Sequence, residues 1–172
     1  MMSEILRHLL IVMVPLVLTN VLHMLIVKSN FLSSLAIPIY EKAFGKNKTW
    51  RGLLFVSIAN AFVLSLANFT FELNIDHAFL LGGVLGIAYI LSELPNSFIK
   101  RKLGVLPGMK SETKGILFML MDKTDSAFGV TFVYFLLGLA DLQMAFLLFV
   151  INSLTHILVS LLLVILKIKP SF

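Results

Sequence analysis

The chain has 172 residues, of which 59% are hydrophobic and only 13% charged, with a formal net charge of +5. That is about half the charged share of a soluble domain, too little polar surface to coat a water-soluble fold, and the mean hydropathy of +0.99 agrees. The basic surplus reads as residues flanking membrane spans, not as a nucleic-acid surface, and the absence of Cys, with no His cluster, excludes disulfides and argues against a structural zinc site.

Five apolar stretches follow in chain order: 9–27, 53–68, 78–94, 127–140 and 144–165. A spanning helix needs roughly 17 to 25 residues, so the second to fourth must borrow polar flanks. The first is too long for a signal-peptide core and lacks a clean cleavage site, so it reads as a retained helix. The expected fold is an all-α integral membrane protein, a single-domain bundle of about five transmembrane helices with two longer loops. Pro95 is expected to end or bend the third span. Short apolar runs inside the loops, Phe31 to Ile39 and Gly115 to Met121, read as interfacial or re-entrant segments.

Charge sets the orientation. Thirteen of the fourteen Lys and Arg residues fall on one side of the five-span arrangement, and only Arg7 falls on the other. The loops at Glu72 to Asp76 and Asp141 to Gln143 carry none. The positive-inside rule then puts the N-terminus outside and the C-terminus and basic loops in the cytoplasm of the cell membrane.

Three polar stretches converge on that side: Gly45 to Gly52, Ser92 to Lys102 and Asp122 to Ser126. Asp122 and Asp125, at i and i+3, share a helix face and suit Mg²⁺ when phosphates and water complete the shell. They also suit a helix start, with Thr124 or Asp125 as a cap, and spacing alone favours that reading. Lys100-Arg101-Lys102 fits phosphates, or serves only as a topology signal. Glu93, costly at membrane depth, calls for a cation, a basic partner or the interface. Lys48-Thr49 lacks the glycine spacing and the preceding strand of a P-loop. Gly82 and Gly86 form a packing motif, and Asn20, His23, Asn152 and His156 read as interhelical hydrogen-bonding groups.

Together these stretches resemble the CDP-archaeol synthase family, small membrane cytidylyltransferases related to phosphatidate cytidylyltransferase. That family carries Gly-x-Gly-Lys-Thr-Trp-Arg-Gly, then Gly-Asp-Leu-x-x-Ser-Phe-Ile-Lys-Arg, Pro-Gly and Asp-x-x-Asp-Ser. The matching residues are Gly45 to Gly52, Ser92 to Arg101, Pro107-Gly108 and Asp122 to Ser126. The chain departs at Asn47, where the family has glycine, at Ser92-Glu93 in place of Gly-Asp, and at Tyr40 in place of Asp. The resemblance implies transfer of CMP from CTP to a lipid phosphate, with Mg²⁺ as cofactor. It implies Asp122, Asp125 and Glu93 at the metal and Lys48, Arg51, Lys100 and Arg101 as the catalytic cations. Thr49, Asn96, Ser97 and Ser126 would bind substrate. The expected partners are CTP, the lipid phosphate and membrane lipids. Which lipid phosphate accepts CMP stays open, as do the oligomeric state and two other readings, a non-catalytic transporter or assembly factor and an ATP-dependent lipid kinase.

Overall fold

The computed structural model describes residues 3–106 and 115–168, with backbone alone at 115–117 and 119. Pro107, Gly108, Lys110, Lys114 and Lys169 lie outside the described residues. Among the described residues six α-helices follow in order: α1 (Glu4–Lys28), α2 (Glu41–Phe44), α3 (Trp50–Phe71), α4 (Ala78–Lys102), α5 (Gly115–Leu136) and α6 (Leu142–Ile165). Among the described residues α1, α3, α4 and α6 are long and apolar enough to cross a membrane. The protein is an all-α membrane bundle. Helix α5 has 22 residues and carries Asp122, Lys123 and Asp125 in its first half.

The long helices form a ring: α1 packs on α3, α3 on α4, α4 on α5, α5 on α6, and α6 closes on α1. Caps set their starts. Ser3, Thr49 and Asp141 each accept a backbone N–H from three residues on, at 3.3, 3.3 and 2.7 Å. At one end of the ring Arg7 donates to the carbonyl of Leu73, and the buried His8 Nδ1 meets the Tyr134 hydroxyl at 2.8 Å. At the other, Lys28 donates to the carbonyl of Lys167 at 3.0 Å.

Small residues let the neighbours of α4 approach closely. A Cβ on Gly82 would lie 2.7 Å from the Ala61 Cα, and one on Gly86 would lie 2.7 Å from the Ser57 Cα. The Asn60 amide adds a hydrogen bond to the Gly82 carbonyl at 2.7 Å. On the other flank, a Cβ on Gly129 of α5 would strike the Ser92 Cβ. The packing reading of Gly82 and Gly86 therefore holds.

Val12, Leu64, Leu85, Val130 and Leu148, one from each long helix, are at most 1% exposed. Each lies six to eight residues from its helix terminus at the Arg7 end. They form an apolar layer across that half of the bundle, and the polar residues of the candidate site lie toward the other end.

Two expectations change. Helix α4 runs through Pro95 to Lys102 instead of ending there. Neighbouring helices re-satisfy or shield what a proline frees in a membrane helix. Helix α5 already includes Gly115, so Gly115 to Met121 is helical and continuous with the rest of α5, not a separate interfacial segment, and α5 ends at Leu136, short of 140. Asp122 and Asp125 consequently lie inside a helix, and the capping alternative falls away.

Candidate functional site

Because α4 continues past Pro95, Tyr89, Glu93, Asn96 and Lys100 follow one another at spacings of four, three and four. That spacing places them along one helical face. Asp122 and Asp125 do the same on α5. The two faces meet. Asn96, 3% exposed, donates through Nδ2 to Asp122 Oδ1 at 2.7 Å and to Asp125 Oδ2 at 3.0 Å. Lys100 Nζ lies 2.5 Å from both carboxylate oxygens of Asp122. Asp125 Oδ1 accepts the Ser126 N–H at 2.7 Å.

The third contributor is the segment before α3. Residues 37–50 close on themselves in a short antiparallel clasp: Ile39 donates to the Lys48 carbonyl at 2.8 Å, and Trp50 to the Ile37 carbonyl at 3.0 Å. Gly45, at φ 84°, turns the chain back after α2, a backbone region that glycine enters without strain. The clasp carries Lys48 inward, where its amine pairs with Glu93. Burial works against the charge on Lys48, but the Glu93 carboxylate beside it outweighs that and holds its pKa above the usual lysine value.

Around this pair lie groups whose sequence pattern suggests interhelical hydrogen bonding alone, together with Tyr89. The Tyr89 hydroxyl meets His156 Nε2 at 3.0 Å and lies beside Ser126 and Glu93. His23 stacks on Phe55, its ring over Gly52, within electrostatic reach of Glu93, Arg51 and Lys48. The signal for Tyr89 is its place four residues before Glu93, legible within the expected span 78–94.

Some expected residues have structural tasks. The Thr49 hydroxyl is engaged as the α3 cap, and Ser97 Oγ donates to the Glu93 carbonyl at 2.9 Å. Arg51 is buried, and its Nη1 donates to the Phe31 carbonyl at 3.2 Å. Arg101 has enclosed Nε and Nη1 atoms without a hydrogen-bond partner. Lys102 turns away and lies over the Phe98 ring, 4.8 Å from its centroid. Lys123, counted from sequence as a loop charge, is buried in α5 with its amine 2.6 Å from Ser160 Oγ.

Among the described residues no group of three His, Asp or Glu side chains is assembled for a metal ion. Asp122 and Asp125 are brought together, whereas Glu93 is drawn to Lys48. The donor chemistry nonetheless fits Mg²⁺, a hard cation that takes oxygen ligands and keeps several waters. Two carboxylates share one amide, and that amide's own oxygen, Asn96 Oδ1, is enclosed without a hydrogen-bond partner.

Compared with known proteins, the chain matches no family model, no curated protein and no solved structure.

Proposed function

We propose that the chain is a Mg²⁺-dependent membrane cytidylyltransferase. It would transfer CMP from CTP to a lipid phosphate and release pyrophosphate. The observation that carries this reading is the meeting of Asp122, Asp125 and Lys100 around Asn96, beside the Lys48–Glu93 pair, at the basic end of a membrane bundle. Carboxylates for a metal and cations for phosphates there converge from two helices and a loop.

In this reading an oxygen of the lipid phosphate attacks the α-phosphorus of CTP. The bond from that phosphorus to the bridging oxygen breaks, and pyrophosphate leaves with the electron pair. The nucleophile is already an anion, so no general base is required. Such transfers ask the protein for positioning and charge neutralisation. Asp122 and Asp125 would hold Mg²⁺, which when bound would supply charge stabilisation to the transferring phosphoryl group. Lys100 and Arg101 neutralise phosphate charge, and the unpartnered donors of Arg101 suit a two-pronged contact. Lys48 and Arg51 close from the clasp side, ordered by the Thr49 cap, while Ser97 and Ser126 complete the polar wall. Glu93 sets the position of Lys48. The basic end faces the cytoplasm, where CTP is available, and the N-terminus faces out.

The test is direct. Purified protein is incubated with labelled CTP, Mg²⁺ and a panel of lipid phosphates, with ATP as competitor. A CDP-lipid is expected from at least one acceptor. Asp122→Asn is expected to lower turnover by at least about 100-fold, since a metal ion contributes several kcal/mol to such a transition state. No CDP-lipid from any panel member sinks the reading, and transfer of the terminal phosphate of labelled ATP to a lipid favours a kinase.

A further inference from the structure

The Asn96 amide is oriented in a way that serves the carboxylates and not itself. Its Nδ2 is shared between Asp122 and Asp125, while its Oδ1 is enclosed and has no hydrogen-bond partner. Leaving a buried acceptor unmade is unfavourable. The orientation persists because the opposite one would aim a third oxygen at two carboxylates. Lys100 completes the arrangement, with its ammonium on both oxygens of Asp122. Asp122 thus meets N–H donors from one amide and one ammonium, and the same amide reaches across to Asp125. These are the groups that mimic, in pieces, the positive charge of a divalent ion.

A primary amide is a nearly symmetric fork. Half a turn about its last side-chain bond exchanges Nδ2 for Oδ1 with no movement of the backbone. With a cation between the acids, the exchanged orientation becomes the favourable one, because three oxygens then face one positive charge. The same cation competes with Lys100 for Asp122.

We propose that Asn96 and Lys100 together stand in for a divalent cation at Asp122 and Asp125, and that cation binding turns the Asn96 amide so that Oδ1 becomes a third protein ligand while Lys100 is released. The inference rests on the metal-dependent reading above and deepens it. Asn96 acts on the metal and not on the substrate, and Lys100 becomes available to phosphate only once the metal is in place. Metal and nucleotide binding are thereby coupled through one lysine.

The experiment uses the purified full chain in lipid nanodiscs with no nucleotide. Acylation of Lys100 by an amine-reactive reagent is followed by mass spectrometry across a MgCl₂ titration, with NaCl at matched ionic strength as the screening control. Lys102, which lies over Phe98 and away from the acids, is the internal reference. Lys100 labelling is expected to rise several-fold with MgCl₂ and not with NaCl, while Lys102 stays constant. Asn96→Asp, which places a third carboxylate there, is expected to melt lower than wild type without Mg²⁺ and to gain more from it. Flat Lys100 labelling across the titration, or an equal rise with NaCl, overturns the proposal. If the same preparation still makes CDP-lipid, the catalytic reading survives that failure; if it makes none, both fall.

Discussion

Lys48 shows how a single side chain ties the loop to the bundle. Its amine and the Glu93 carboxylate are largely enclosed, with side-chain exposures of 24% and 19%. Removing one partner of such a pair strands the other charge, at a cost of about 3 to 5 kcal/mol. Lys48→Met is therefore expected to lower the melting temperature clearly at neutral pH. Because the Lys48 pKa is raised above 10.5, this contribution is fully present below that value and is lost as the pH climbs past it. The gap in melting temperature between wild type and Lys48→Met should be flat from neutral to mildly alkaline pH and shrink only above 10.5. A gap that closes near neutral pH would contradict the pairing. Nothing in the sequence joins residue 48 to residue 93, since a clasp between Ile37 and Trp50 has no periodicity to read. Asp122 and Asp125 were legible as neighbours because three-residue spacing on a helix brings side chains together whatever the surroundings.

At the scale of the helix, α4 is the shared wall of the bundle and is seated by glycines. Gly86→Ala would put a Cβ 2.7 Å from the Ser57 Cα and 2.9 Å from the Val56 carbonyl oxygen, both backbone atoms of α3. Helices α3 and α4 must then separate, at a cost of about 1 to 3 kcal/mol. Gly83→Ala is the control, since its nearest contact is the Ala61 Cβ at 3.9 Å, and a change within about 0.5 kcal/mol is expected. Denaturant titration of the purified variants in mixed micelles reads both, and equal effects would refute the close-approach account. Helix existence was legible from apolar runs, but helix ends were not. Pro95 and the charges of Asp122 to Asp125 act as stop signals in water, whereas in α4 and α5 packing against neighbouring helices overrides them. That misplacement also concealed the continuation of the Tyr89 and Glu93 face to Asn96 and Lys100.

For the whole molecule the legible feature was charge asymmetry. Among the described residues Arg7 is the one Lys or Arg at its end of the ring, held on the Leu73 carbonyl. Since the chain has no Cys, single cysteines report cleanly on sidedness. With the basic end in the cytoplasm, Asp76→Cys should react with a membrane-impermeant thiol reagent on intact cells. Lys46→Cys should react only after permeabilisation. The reverse pattern would invert the orientation. How five helices close into a ring was not legible, because lipid-facing and partner-facing surfaces are equally apolar in such a chain.

The polar face of α4 reaches from Lys100 down to Tyr89, about 16 Å along the axis at 1.5 Å per residue. That is about half of a hydrocarbon slab roughly 30 Å thick. Solvent drawn in along those side chains would shorten the barrier to ion leakage to what remains beneath them. The remainder is the layer of Val12, Leu64, Leu85, Val130 and Leu148. Its dryness is thus a requirement of the host cell as well as of the fold: a hydrophilic side chain in that ring would threaten to let such solvent form a conduit that dissipates the transmembrane potential.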